Sequence, residues 1–479
     1  MIQVQEPSTM KRELGLLDAT LLVAGSMIGS GIFIVSSDML KDVGSVGWLI
    51  LVWLITGLMT LIAAVSYGEL SGMFPKAGGQ YVYLKEAYNP LIGFLYGWSL
   101  FTVIQTGTIA AVAVAFGKFL GYLNEDFGDG NILLTISEGF HITAAQVVGI
   151  VLIIVLTFSN TRGIKTGKII QTGFTSTKLL ALFGLIIFGF LAANSTVWSQ
   201  NWQDAWTLKQ HITRIDAAST QNNWVNLAGF TILGAVAAAM VGSIFSSDAW
   251  NNITFIAGEV RNPKRNIGLS LFLGTLIVTL IYVAANVMYI SVLPIEQLAF
   301  AKDNRIALSV ATEVFGSIGT TLIALMIMVS TFGCNNGLIL SGARVYYTMA
   351  NDGLFFKKTS ELNKNSVPGF ALWIQCAMAC ILCVSGKYGN LLDMISFVVV
   401  IFYVLTIFGI FILRHKRPDA ERPYKAFGYP FLPALYIIMG LSFCGLLIAF
   451  KPEYTWPGLI IVLIGLPVYY IWKKESRIS

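Results

Sequence analysis

Gly25-Ser26-Met27-Ile28-Gly29-Ser30-Gly31-Ile32-Phe33 places three glycines in the middle of an apolar run long enough to cross a bilayer. Small residues line close helix contacts in membranes, which is one reading of the stretch. The other is a helix that unwinds at Gly29–Gly31. A half-helix restarting there would aim unpaired N–H groups and its positive dipole end at an anion. A second stretch, Ser243-Ile244-Phe245-Ser246-Ser247-Asp248-Ala249-Trp250-Asn251-Asn252, crowds serines, asparagines and an aspartate into another apolar run. In a continuous lipid-facing helix those side chains are costly. A break at Ser246–Ser247, with Asp248 as N-cap of the next half-helix, accounts for them and leaves free carbonyls that suit an ammonium group. Asp248 is also open to two other roles, proton carrier or direct ligand of a substrate amine.

The rest of the chain sets these two stretches in one plan. Of 479 residues, 56% are hydrophobic and 12% charged, against roughly 25% charged in soluble domains. Apolar runs are predicted near 14–36, 46–73, 90–120, 143–158, 170–193 and 227–257, and again near 268–291, 317–350, 369–386, 391–413, 429–450 and 456–472. Backbone groups in lipid must pair within their own segment, so the runs are helices, and they lack the alternation of barrel strands. The fold class is therefore an all-α polytopic membrane protein of about twelve helices. The two interrupted runs are the first and the sixth, crossing in opposite directions, and each opens a set of five. Matching interruptions in two halves mark a transporter's binding site. Amides for a carboxylate beside carbonyls for an ammonium fit a zwitterion, of which an α-amino acid is the simplest.

The segments predicted are a cytoplasmic tail 1–13, a first repeat 14–193, an extracellular loop 194–226, a second repeat 227–413, a cytoplasmic loop 414–428, two further helices over 429–472 and a tail 473–479. Lys11 and Arg12 precede a first run too long for a cleaved signal, which reads as an uncleaved span. With the N-terminus inside, 22 of the 31 Lys and Arg fall in inner segments and seven in outer ones, so both termini are predicted cytoplasmic. The net charge of +6 is thus a topology signal, and no nucleic-acid partner is implied. The five cysteines lie in apolar segments and read as small core residues. The three histidines are placed in loops, so nothing points to a metal, a cofactor or an enzyme's nucleophile and base. Rings of like charge or a filter loop, as a channel requires, are missing from the sequence.

Lys178 sits near the centre of the fifth run, with nine uncharged residues before it and fifteen apolar ones after it. Snorkelling to an interface is difficult from there. The functional reading is a fixed ammonium where sodium-driven transporters of this architecture hold an ion.

Several motifs in order carry a resemblance. Gly29-Ser30-Gly31-Ile32-Phe33, Tyr67-Gly68-Glu69-Leu70 and Phe74-Pro75-Lys76-Ala77-Gly78-Gly79-Gln80 resemble the amino acid–polyamine–organocation superfamily. Trp250-Asn251-Asn252, Ala257-Gly258-Glu259-Val260-Arg261-Asn262-Pro263, Thr177-Lys178-Leu179-Leu180 and Phe332-Gly333-Cys334-Asn335-Asn336 are similar to its L-type amino acid transporter branch, in its bacterial form. The resemblance implies a five-plus-five inverted repeat of the leucine-transporter type with two added helices, working by alternating access in a bacterial plasma membrane. It implies a substrate carboxylate on the amides of Ser30 and Gly31, with Gly29 leaving space. It implies an ammonium on carbonyls of Met27, Phe245 and the neighbourhood of Asp248, so that Ile28 and Ser246 also border the substrate. Phe245 would be the outer lid, and Lys178 would tie the first span to the eighth around Ser330, Thr331 and Cys334. Cys334 stands where relatives often carry serine. The outer loop after the third run lacks the cysteine that joins animal members to a disulfide-linked heavy subunit, so no such partner is expected. The function implied is sodium-independent exchange of neutral L-amino acids, with proton symport or a non-transporting amino acid sensor as alternatives.

Overall fold

The computed structural model describes residues 12–475 apart from 138–139, 163, 217–218 and 386–387. Among these residues eight helices are individually long and apolar enough to cross a membrane, including Val46–Met73, Pro90–Leu123, Pro263–Val292 and Phe431–Phe450. Ser176–Leu191 and Ser195–Gln203 form a ninth when taken together across a 94° bend, and Leu16–Met27, Thr231–Ser246 and Gly369–Ser385 are shorter apolar helices. The protein is an all-α polytopic membrane protein, with apolar side chains such as Leu180, Ile318 and Phe431 turned outward.

Local sequence explains the ends of the spans. Asn89 caps the third through Ile92 N (3.1 Å) with Pro90 in the first turn, and Thr143 caps the fourth in a reciprocal pair with Gln146. The first span runs on to Val43, past its expected end near 36, and stops where Gly44 turns left-handed at φ +59°. The eighth begins after Gly316, which interrupts the 306–351 helix at φ +66°, ψ −169°.

The second and seventh spans pack along one another. A Cβ placed on Gly268 would come within 3.4 Å of the Gly68 Cα, so the pair of glycines sets how closely these backbones cross. Outside the membrane the expected plain loops are structured. The 194–226 stretch holds a helix, Ser195–Gln203, and a hairpin of Lys209–Asp216 against Ser219–Asn226. The loop after the third span holds a smaller hairpin, Ile132–Ser137 against Phe140–Thr143. Two of the three histidines lie in those strands and His415 in the last turn of the tenth span, so none sits in an irregular loop.

Candidate functional site

The first span ends its inner half-helix at Met27, passes through Ile28–Ser30 out of helical register, makes a 3-10 turn at Gly31–Phe33 and resumes at Val35. Among the described residues the amides of Gly31 and Ile32 have no backbone acceptor, as the start of a half-helix requires. The carbonyls released at the end of the inner half are collected from outside. Lys178, fully buried, donates its ammonium to the Gly25 and Ile28 carbonyls, the latter at 2.9 Å. Cys334 donates to Ser26 O (3.3 Å) and Ser330 to Ile28 O (3.5 Å). A cation at a helix C-terminus is also favoured by the dipole. Thr331 takes no part. Its hydroxyl donates to Ile327 O and Met328 O of its own helix, the usual alternative for a threonine in an apolar helix.

The sixth span ends its outer half at Ser246 and restarts only at Asn252. Ala249, in between, adopts φ +63°, a conformation that costs a residue with a Cβ roughly 1–2 kcal/mol. Asp248 does not cap the second half, contrary to the expectation. The capping position is Asn251, with no side-chain bond, and Asp248 Oδ1 instead accepts the Tyr403 hydroxyl at 2.5 Å. The restart lies four residues beyond Asp248, and the capping position three beyond it, out of reach of an ordinary N-cap bond. Trp250 packs edge-on to Tyr67 (4.7 Å between centroids), and Asn251 donates to Gln80, which donates to Thr406. Asp248 borders two cavities. One, of about 10 Å³, is bounded by Tyr96, Gln105, Asn251 and Asn252, and the other, of about 20 Å³, by Thr56, Thr60, Ser247 and Tyr436.

The two breaks meet. A Cβ on Gly31 would overlap the Ser246 hydroxyl and lie 3.0 Å from Ser246 Cα, and one on Gly29 would come 3.0 Å from Cys334 Sγ. Tyr282 of the seventh span donates to both Met27 O (2.9 Å) and Ser246 O (3.1 Å). Met27 O also accepts the Gly29 amide at 2.8 Å, so this expected ammonium ligand already has two donors. Phe245 is buried beside the sixth break, and Ser246 turns its hydroxyl to Gly242 O. Sequence reasoning passed over Tyr282 and its companions. Asn286 accepts from Ser36 (2.6 Å), and Tyr289 donates to Ile32 O (3.4 Å). Their spacing of four and then three residues puts all three polar groups on one face of an otherwise apolar helix, and that was the legible signal.

Charges close the side on which the N-terminal segment lies. Glu69 takes Arg414 in a two-point pair (3.0 and 2.7 Å), Arg422 at 3.3 Å and the Ala426 amide at 2.7 Å. Glu259 pairs with Arg344 (3.1 Å), while its carbonyl accepts the Glu13 and Leu14 amides and Leu14 O accepts Arg261 N. Glu69 and Glu259 therefore anchor loops and the N-terminal segment. On the opposite side Asp38 holds Lys41 and Asn304, and Asp393 holds Lys451 at 3.1 Å. Burial pulls the Lys451 ammonium down, but Asp42, Asp393 and Asp38 outweigh it and keep its pKa above the ordinary value.

Residues 14–468 match the amino acid permease family. The chain belongs to that family. This permease is 32% identical over 475 residues to the serine/threonine exchanger SteT of Bacillus subtilis, covering 98% of this chain and 99% of that protein. It is 28% identical over 477 residues to the human large neutral amino acids transporter small subunit 2 (98% and 82%) and 29% identical over 479 residues to the human cystine/glutamate transporter (99% and 88%). The superfamily resemblance carried by the motifs is therefore correct. The permease is a multi-pass membrane transporter of amino acids, and not an enzyme.

Proposed function

We propose that this permease exchanges neutral L-amino acids by alternating access and without sodium. The observation that carries the reading is the Lys178 ammonium on the Gly25 and Ile28 carbonyls, a charge built into the protein where a sodium-driven carrier would need an ion. The carboxylate goes to the amides of Ser30 and Gly31. The ammonium goes to carbonyls of Met27, Phe245 and the Asp248 turn, which Tyr282 must release at Met27. Ile28, Gly29 and Ser246 border the substrate, and Phe245 closes over it from outside. Exchange is supported by the likeness to a serine/threonine exchanger that covers nearly all of both chains.

The two sets of five, 14–193 and 227–413, move against each other, with 429–472 as the added pair. Both termini face the cytoplasm of a bacterial cell, as the basic residues of the inner segments favour. The permease works without a disulfide-linked subunit, as the cysteine-free loop after the third span favours.

Counterflow of radiolabelled serine, threonine and leucine in proteoliposomes tests the proposal. Label should accumulate only when unlabelled amino acid is inside, at an equal rate in sodium and in choline. A strict need for sodium would remove the role given to Lys178. Proton symport is the second reading, favoured by Asp248, a buried carboxylate with no cation in ion-pair range among the described residues. A pH gradient driving uptake into empty vesicles would select it.

A further inference from the structure

A groove of about 870 Å³ opens beside the inner ends of the second and seventh spans, away from both breaks. Its walls are Val65, Leu269, Phe272, Pro423 and Phe427, and its rim carries Lys264, Arg265 and Tyr424. We propose that this groove binds one acidic phospholipid, an acyl chain lying along the apolar wall and the phosphate held by Arg265 and Lys264.

The walls are apolar and outward-facing, with Phe427 71% and Leu269 37% exposed, so a hydrocarbon chain entering from the bilayer covers surface that water would otherwise meet. The rim has excess positive charge. Among the described residues Arg265 has no carboxylate partner, and neither does exposed Lys425, the neighbour of Tyr424. Lys264 is paired with Glu421 at 2.9 Å, but both are largely exposed, and an exposed pair of this kind is weak enough for a phosphate to displace it. Guanidinium offers phosphate a two-point contact, and basic pockets between spans on the cytoplasmic side suit acidic lipid headgroups. Lys264 and Arg265 stand in the first turn of the seventh span, at the level of a headgroup.

The groove bears on the inner closure. Gly268, which faces Gly68 at the crossing of the two spans, is part of its lining, and Tyr424 packs onto Gly68 while Ala426, two residues on, holds Glu69. A lipid seated there braces the loop that keeps Arg414 and Arg422 on Glu69. The choice of the cytoplasmic leaflet rests on the orientation proposed above, whereas the binding chemistry does not, and a symmetric lipid mixture tests it independently.

The test titrates purified permease in detergent with phosphatidylglycerol and, separately, phosphatidylcholine, following retained lipid by native mass spectrometry and thermal stability. Phosphatidylglycerol should bind at unit stoichiometry and raise Tm, and phosphatidylcholine should do neither at the same concentration. The double variant Lys264→Gln/Arg265→Gln should keep the lipid-free Tm and lose affinity for phosphatidylglycerol on the order of 20-fold, from two cations removed near the headgroup. Leu269→Trp, which fills the groove and leaves the charges, should weaken binding too. Equal binding of the two lipids would mean an ordinary annular contact and overturn the proposal, as would a double variant that binds phosphatidylglycerol like the wild type. Counterflow in phosphatidylcholine vesicles is read beside it, so a failure of the transport reading is seen separately from a failure of lipid binding.

Discussion

In the first span the chain leaves the helix through glycines, and the carbonyls it releases are gathered by groups from elsewhere: Lys178 on the fifth span, Ser330 and Cys334 on the eighth. In the sixth span the break is made by side chains of its own, with Asp248 on Tyr403, Asn251 on Gln80 and Ala249 in a left-handed turn. One break is clamped by a lysine from another span, the other is steered by an aspartate and a tyrosine. The difference assigns them different work. A backbone held by a buried charge is preorganised and offers its amides at the same place in every cycle. A break held by a hydroxyl and a strained turn changes shape at lower cost. Tyr282, bonded to both, is where their states are compared.

The comparison breaks first at Gly31. Valine there would drive its side chain into Ser246 and force the two breaks apart, so Gly31→Val should abolish exchange and substrate-induced thermal shift while the protein still reaches the membrane. Amino acid affinity retained in that variant would mean that the breaks need not touch. Lys178→Ala comes next. It leaves carbonyls of the first break without their charged donor, a loss of about 1.5–3 kcal/mol, so counterflow should fall roughly 10- to 150-fold with expression kept. Affinity should fall less than rate, because the lysine lies behind the break. A wild-type rate would reduce Lys178 to a tolerated buried residue.

Tyr282→Phe removes the bridge and nothing else, so about 1 kcal/mol and roughly fivefold in rate are expected. If its effect equalled that of Lys178→Ala, the bridge and not the cation would organise the first break. The smallest effect belongs to Ala249→Gly. Glycine relieves the left-handed strain but adds freedom to the unfolded chain, so the net gain in stability should be at most about 1 kcal/mol, read as a small rise in Tm. A clear fall in Tm would show that the Ala249 methyl packs against something more valuable than the strain it causes.

Much of this arrangement was legible in the residues. The glycines of Gly25–Gly31 and the polar run Ser243–Asn252 located both interruptions, because lipid forbids unpaired backbone and exposed polar groups except where a break has a use. A lysine as deep as Lys178 announced itself for the same reason. The partners were less legible. Asp248 looked like an N-cap because the restart of the helix was placed directly after it, and Thr331 looked like a partner of the lysine because it lies between Ser330 and Cys334, which do reach the carbonyls of the first break.

The sequence by itself determined that the chain is a bundle of apolar spans, where two of them break and that a lysine lies buried deep in a third, since each follows from the cost of polar groups in hydrocarbon, a penalty paid residue by residue. Only the tertiary structure decided who meets whom. Tyr403 lies 155 residues from Asp248, Tyr282 is 255 from Met27, and Lys178 is 150 from Ile28. A hydrogen bond is made within about 3 Å and at a favoured angle, and helix rotation and crossing distance, set by pairs such as Gly68 and Gly268, fix both. Those quantities belong to the packed bundle and to no single span.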